Sequence, residues 1–312
     1  LLAIGSNMSG FLPVTATVTN WFARKRTLAI GIMMAGMSVG GLIVPVLAWS
    51  ITNHGWRTTA FVSGLLIWSI GIPAALTLRH KPEQYGYLPD GGRTSLVEVP
   101  NEQGSPAPIG QTGEALSRHS FTAREALRTP AFWLISLGHA SAVFGVGAIF
   151  IHLVPHIVQR TGLSLEASGS IVAFMLIMSL IGQLAGGYLG DKYDKRALLM
   201  LCMLGHAIAL LILAYSTNFF HLVLFAILNG LAWGARPPIQ SALRADYFGT
   251  GHYATIIGFS SVVVTLGAVF GPIFTGQLAD WQGSYTMAFT ILAVIPGIGS
   301  LFFLFARRPA HQ

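Results

Sequence analysis

Charged residues are scarce in this sequence, since only 9% of its 312 residues are Asp, Glu, Lys or Arg while 53% are hydrophobic. Ordinary soluble domains carry about 25% charged residues. So little charge excludes a water-exposed globular surface and leaves a multi-pass membrane protein, with the lipid bilayer as its surroundings. The net charge of +7 is spread between apolar runs, so it indicates membrane topology and not nucleic-acid binding.

Cysteine and buried carboxylates are also lacking. The single cysteine, Cys202, lies in an apolar run and excludes an internal disulfide or a cysteine-rich metal site. No Asp or Glu lies deep in an apolar run, so the usual group for proton coupling at membrane depth is missing. His152 and His156 could relay protons or bind a metal, but they lack a third ligand. We therefore expect no metal and no cofactor, and we keep His152 as a candidate for proton coupling.

Apolar runs long enough to cross a bilayer recur nine times. They lie at about 1–22, 27–50, 57–78, 130–153, 166–189, 197–217, 220–244, 253–277 and 284–306. Basic residues gather on alternate connections, for example at 24–26, 192–196 and 307–308, whereas the opposite connections hold only Arg57 and Arg160. The positive-inside rule then places the 79–129 connection and the C-terminus in the cytoplasm. The chain opens directly into an apolar run with no signal peptide, so we expect it to be a fragment.

An internal repeat relates the start of the chain to its end. GIMMAGMSVGGLIVP at 31–45 recurs in outline as GFSSVVVTLGAVFGP at 258–272. Parallel halves of six spans, each built as three plus three, are typical of one class of transporter. The nine runs then correspond to spans four to twelve of twelve. Residues 10–61 should superpose on 238–289 by a rotation of about 180° around the membrane normal.

The repeat divides the chain into four parts. We expect a three-helix remainder of the N-terminal bundle at 1–78, a cytoplasmic linker at 79–129, a six-helix C-terminal bundle at 130–306 and a tail at 307–312. Within the linker, 92–116 is too polar to fold alone. Phe121 to Leu127 should form a short amphipathic helix. The fold class is therefore an all-α membrane protein of two helical bundles.

The stretch from 229 to 249 places polar residues at helical intervals within an apolar run. They are Asn229, Trp233, Arg236, Gln240 and Arg244. On a helix they form one stripe, which should face a cavity and not lipid. With Arg244 at the headgroups, Arg236 lies roughly 12 Å deeper, near the bilayer midplane where transporters hold their substrates. Alternatively, Arg236 snorkels to the headgroups or forms a structural pair.

Two prolines follow this arginine directly. Pro237 and Pro238 donate no backbone hydrogen bond, so the carbonyls of Trp233 and Gly234 should lose their helical partners. We therefore expect a broken helix beside Arg236, which fits a substrate cavity better than a lipid-facing surface.

The sequence GGYLGDKYDKR at 186–196 resembles the cytoplasmic motif of the major facilitator superfamily. The residues proposed to gate the transporter are Gly187, Asp191, Lys192, Lys195 and Arg196. The resemblance departs at Asp194, which replaces a glycine of the motif. A carboxylate ringed by cations can lie against a neighbouring helix N-terminus and hold the two halves in one arrangement. The alternative is a solvated charge cluster that only enforces topology.

Three further stretches look like bacterial relatives of the monocarboxylate transporter and oxalate–formate antiporter group. They are WFARKRTLAIGIMMAGMSVGG at 21–41, HKPEQYGYLPDG at 80–91 and RTPAFWLISLGHA at 128–140. The resemblance implies a chain without its first three spans, in a bacterial inner membrane, carrying a small organic anion by alternating access. Protons or a counter-anion would be its coupled partners.

The charges differ from those of these relatives. The animal carriers have an Asp–Arg pair in span 8, whereas 166–189 here holds no charge after Glu166 before the motif at 186–196 begins. The antiporters use an arginine in span 8 and a lysine in span 11, but 253–277 contains neither Lys nor Arg. Arg236 is then the only deep cation and could bind a carboxylate bidentately. Asn7, Phe11 and Thr15, on one face of the first run, are candidates to line the cavity opposite it.

Other functions remain open. An exporter of drug-like or amphipathic compounds from the same superfamily is the first alternative. A non-transporting membrane sensor is the second, although neither the linker nor the tail could form a signalling domain. An intramembrane enzyme is not expected, because no nucleophile–base or metal constellation lies at depth.

Overall fold

The computed structural model describes residues 11–41, 43–91 and 120–309. Within these ranges the chain forms ten α-helices and two short 3₁₀ turns, Pro82–Tyr85 and Pro89–Gly91. The helices are α1 Phe11–Trp21, α2 Arg26–Gly41, α3 Val44–Thr77, α4 Ala123–Arg128, α5 Pro130–Thr161, α6 Leu165–Lys192, α7 Lys195–Ala214, α8 Phe219–Phe248, α9 Tyr253–Gln282 and α10 Thr286–Phe305. This confirms the all-α membrane fold.

Seven helices of the described ranges are long and apolar enough to cross a membrane, namely α3 and α5 to α10. Two of the nine predicted spans fall short of that criterion. The first is described only from Phe11 onward, and α2 is a shorter apolar helix. The third predicted span corresponds to the second part of α3.

Gly55 accounts for the predicted connection between the second and third spans. Its backbone has φ 77° and ψ 155° inside α3, where all neighbouring residues are helical. Glycine adopts this left-handed φ without the steric penalty that a Cβ would bring. The connection is therefore a sharp kink and not a loop.

The expected break in α8 is wrong. The helix runs continuously from Phe219 to Phe248 with Pro237 and Pro238 inside it. Membrane helices tolerate proline where neighbouring helices and local adjustments accommodate the freed carbonyls. Here α8 packs against α6, α7 and α2, so packing on several sides holds it helical.

Glycines allow α6 and α8 to approach closely. A Cβ on Gly182 would meet the Leu231 carbonyl at 2.5 Å, and one on Gly186 would meet Ala235 Cα at 2.5 Å. Gly267 and Gly271 of α9 lie equally close to α5. Pairs of small residues four positions apart allow membrane helices to pack closely in this way. Gly36 and Gly40 of α2 have the same spacing, but a Cβ at either position would have no atom of the described residues within 4 Å.

Two apolar clusters hold the last six helices together. One is centred on Ile149, Phe225 and Phe289, and the other on Phe132, Leu243 and Phe303. Large hydrophobic residues on the outward faces are exposed, for example Trp68 and Phe305. This distribution, apolar inside and outside, is the one expected of helices surrounded by lipid.

One end of the molecule carries Arg26, Lys195 and Arg196, and we call it the basic end. Helices α1 and α2 contact the later helices at this end. There Leu12 and Ala16 of α1 pack against Tyr253 and Ile257 of α9. The N-terminal half of α2 also lies along the C-terminal half of α6. The basic end is thus closed by contacts between the first and last parts of the chain.

The helix predicted before Pro130 is present as α4. Thr122 caps it, and the Glu125 side chain returns a hydrogen bond to the Thr122 amide, which completes a capping box. The polar stretch 92–116 lies outside the described residues. The division into a three-helix and a six-helix bundle stays a prediction, as does the repeat symmetry.

Candidate functional site

Arg236 is fully buried, with no solvent-exposed surface. Its guanidinium carbon lies 5.5 Å from the ring centroid of Trp233, and its Nη1 donates to Gln240 Oε1 at 3.5 Å. Among the described residues, no carboxylate lies within ion-pair distance of it. A buried charge without an opposite charge is costly. Arg236 is therefore suited to receive an anion.

The predicted stripe does not line an open cavity in this structure. Four of its members, Asn229, Arg236, Gln240 and Arg244, are buried. Trp233 is partly exposed. Gln240 donates to the Ile135 carbonyl of α5 at 3.4 Å. Most of the stripe faces α5 and α7, whereas Gly230 and Gly234 bring another side of α8 against α6.

His206 of α7 completes the stripe, a role that sequence reasoning missed because His206 lies on a different helix. Its Nδ1 donates to Asn229 Oδ1 at 2.9 Å, and Asn229 Nδ2 donates to Met175 Sδ at 3.2 Å. In the described part of the chain, His206 Nε2 and Arg236 Nε are buried without a hydrogen-bond partner. The interior beside Arg236 thus retains unused hydrogen-bonding capacity.

Two aromatic side chains cover Arg236. The half-buried Trp233 ring stacks on the guanidinium, and Phe150 of α5 meets that ring edge-on at a centroid distance of 6.0 Å. Phe150 is 56% exposed. A ligand can reach the guanidinium from this side only if the Trp233 side chain moves.

A second arginine of the stripe, Arg244, is buried as well. Arg244, which was expected at the headgroups, is 6% exposed. Its Nη2 donates to Ser260 Oγ at 2.8 Å and lies 3.2 Å from His139 Nδ1. Ser260 in turn shares a hydrogen bond of 2.8 Å with Ser136. The side chain folds inward between α5 and α9 and does not extend to the surface.

The three residues of the first predicted span that were expected to line a cavity differ in their burial. Asn7 lies outside the described residues. Phe11 is exposed, whereas Thr15 is buried with its hydroxyl near Met33 Sδ of α2. Thr15 therefore faces α2 and not an open cavity, because this side of α1 packs against α2.

His152 and His156 contact different partners. His152 Nε2 donates to the Pro272 carbonyl at 3.0 Å, and His156 Nε2 donates to the Leu213 carbonyl at 2.8 Å. The described residues contain no group of three or more His, Cys, Asp or Glu side chains placed to hold a metal. A role of His152 in proton coupling stays a prediction.

Comparison with known proteins decides the family, because the model of the Major Facilitator Superfamily matches residues 1–178 and 135–312. The chain belongs to the Major Facilitator Superfamily. It is 25% identical over 296 residues to monocarboxylate transporter 13 of Rattus norvegicus, which covers 93% of this chain and 62% of that protein. It is 23% identical over 313 residues to the hexuronate transporter of Escherichia coli, with coverage of 96% and 69%.

The fold is also that of solved superfamily structures. A variant of the fucose:proton symporter FucP of E. coli aligns with a TM-score of 0.70 at 15% identity, over 96% of this chain and 73% of that one. The chain thus spans about two thirds of the length of the proteins it matches. It is a multi-pass integral membrane protein.

The superfamily motif makes the contact that its carboxylate suggested. Asp191 Oδ1 accepts from the Thr27 amide at 2.9 Å, and Oδ2 accepts from the Leu28 amide at 3.0 Å. These amides are in the first turn of α2, where a helix favours a negative charge. Gly187 lies against α2, since a Cβ there would be 3.0 Å from Leu28 Cα. The motif therefore joins α6 to α2.

The cations of the motif do not ring Asp191. Lys195 pairs with Asp246 at 2.9 Å, and Arg26 of α2 pairs with the same carboxylate at 2.7 Å. The other two basic residues have separate partners: Lys192 contacts Tyr188, and Arg196 lies 3.6 Å from Asp194. Sequence reasoning missed Asp246 of α8. Its carboxylate pairs with residues of α2 and α7 and so links three helices.

Asp194 has a local reason to replace the motif glycine. Its side chain accepts from the Ala197 amide at 2.9 Å and caps the N-terminus of α7. Asp is among the residues preferred at this position. The turn after α6 is thus stabilised by a cap and does not require glycine.

Asp191→Asn should lower the rate of transport while changing substrate affinity by no more than a few-fold. The substitution weakens the contact with the α2 amides, which joins α6 to α2 across the predicted division between the bundles, and it lies away from Arg236. Transport rate and half-saturation in proteoliposomes provide the measurement, with Asp280→Asn, an exposed carboxylate of α9, as the control. A large loss of affinity at a normal rate would contradict the gating role.

Proposed function

We propose that this protein is a secondary active transporter that moves a small organic anion by alternating access. The observation that carries the proposal is Arg236, a fully buried arginine with no carboxylate partner among the described residues. An anionic substrate would supply the missing charge through bidentate hydrogen bonds. Trp233, Gln240 and Asn229 surround the guanidinium or continue its stripe and would position the substrate.

The closed basic end supports the alternating-access part of the proposal. Asp191, Asp246 and Tyr253 each connect the first part of the chain with the later helices at that end. The paired charges and capped amides there can separate and re-form without disrupting either group of helices. We assign the basic end to the cytoplasm of a bacterial plasma membrane because cytoplasmic connections are rich in Lys and Arg.

The names of two relatives indicate which substrates should be tested first. One is named a monocarboxylate transporter and another a hexuronate transporter, and both names describe organic acids. The aromatic cover formed by Trp233 and Phe150 favours a carboxylate with an apolar or ring-shaped body. Protons or a counter-anion are the proposed coupled partners, with His152 as the candidate group for protons.

The experiment is uptake of labelled benzoate, lactate and glucuronate by the full-length protein in proteoliposomes. Fucose serves as the neutral control and a quaternary ammonium dye as the cationic one. We expect saturable uptake of at least one acid and none of the dye. Transport of the dye without any of the acids would reject the organic-anion proposal and favour the exporter.

A further inference from the structure

Arg244 is placed in a second group of polar side chains that the proposed substrate site does not use. Three helices contribute to the group: α5 through His139 and Ser136, α8 through Arg244, and α9 through Ser260. The arginine and both serines are buried, whereas His139 is partly exposed. His139 is therefore the least enclosed of the four residues.

The contact between Arg244 and His139 determines where the imidazole carries its proton. Arginine is only a donor, so His139 Nδ1 must accept and the neutral ring holds its proton on Nε2. His139 Nε2 makes no hydrogen bond to another described residue. The ring of His139 thus carries a donor next to a guanidinium.

The charge of this group is not compensated within the described residues. No carboxylate is within ion-pair distance of Arg244, and Asp246, two positions further along α8, is already paired with Arg26 and Lys195. The serine hydroxyls are neutral and both hydrogen bonded. Donors and positive charge without an anion are the chemistry of an oxyanion-binding site.

The group lies on the route from Arg236 to the basic end. Arg244 is eight residues after Arg236, which is roughly 12 Å along the helix. Contacts of α1 with Tyr253 and Ile257 of α9 close the structure beyond it. Separation of α1 from α9 would open this group, and not Arg236, to the basic end first.

We propose that Arg244, His139 and Ser260 form a second anion-binding site, which holds the substrate carboxylate between Arg236 and the basic end. This proposal rests on the proposed function, since the ligand is the same organic anion. A carboxylate would bind the guanidinium and His139 Nε2–H, while Ser260 holds the guanidinium in place. The site would set the affinity for substrate at the basic end, and Arg236 would set it at both ends.

The test measures half-saturation separately at the two faces of oriented proteoliposomes. Labelled benzoate is the probe, or labelled lactate or glucuronate if the uptake panel identifies one of those acids instead. We expect Arg244→Gln and His139→Gln to raise half-saturation at the basic end by roughly tenfold, as for loss of one charge-assisted hydrogen bond. At the opposite face the change should stay below about threefold. Arg244→Lys, which keeps the charge, should recover part of the loss.

A purely structural role for the group predicts a different result. If Arg244 only ties α5, α8 and α9 together, its substitutions lower the melting temperature and affect both faces equally, which would overturn the proposal. If Arg244→Gln does not fold, His139→Gln decides the question, because His139 is not fully buried and an amide can still accept from Arg244. Unchanged half-saturation at the basic end in that variant also overturns it.

The two proposals fail in distinguishable ways. Loss of transport in Arg236→Gln together with normal behaviour of the Arg244 and His139 variants removes the second site and leaves the proposed function standing. A wild-type protein that transports none of the three acids removes both.

Discussion

Arg236→Gln is expected to abolish nearly all transport of the organic acid at substrate concentrations close to the half-saturation of the wild-type protein. Removing one partner of a buried charge pair costs about 3–5 kcal/mol, which corresponds to a loss of affinity of roughly a hundredfold or more. Arg236→Lys keeps the charge but loses the planar fork of donors, so it should weaken binding less. Uptake of labelled acid over a concentration series measures both effects.

Arg128→Gln is the matched control for this experiment. Arg128 is an exposed arginine at the end of α4, so its substitution removes the same charge from the chain without opening the interior. Correct folding of all variants is checked by size-exclusion chromatography in detergent. If Arg236→Gln transports the acid at unchanged apparent affinity, the arginine has a structural role and the organic-anion proposal loses its main support.

Gly234→Val should prevent α6 and α8 from packing. A Cβ at this position would collide with the backbone of Ser179 and would lie 2.9 Å from the Gln183 amide nitrogen. Backbone atoms of a packed helix cannot move aside as the end of a flexible side chain can. The cost should reach about 3 kcal/mol or more, the upper end of overpacking effects. A large drop in the melting temperature in detergent, with loss of monodisperse protein, is the expected observation.

Gly169→Val tests whether this effect comes from packing and not from helix propensity. Gly169 is also within a membrane-spanning helix, α6, but it is exposed and no atom lies within 4 Å of a Cβ built there. Its substitution should change stability by no more than about 0.5 kcal/mol. Equal melting temperatures for the two variants would show that the α6–α8 contact is looser than the structure indicates.

Local sequence determined the elements of this fold. Apolar length and the distribution of basic residues predicted the membrane helices, since a span must satisfy its backbone internally and exclude charge. The motif around Asp191 predicted a carboxylate at a helix N-terminus, which the Thr27 and Leu28 amides provide. The periodicity of 229–244 correctly placed its polar residues on one side of α8, because helical spacing alone decides which side chains share a face.

Tertiary structure decided what each face meets. Most of the stripe with Arg236 points to α5 and α7, whereas close packing of Gly230 and Gly234 turns another side of α8 toward α6. Arg244 is buried by Ser260 and His139, which belong to other helices, and so its side chain is enclosed by protein. Asp246 pairs with Arg26, which is 220 residues away in the sequence. Spacing along one helix carries no information about such partners, because they are set by the packing of helices that are distant in sequence.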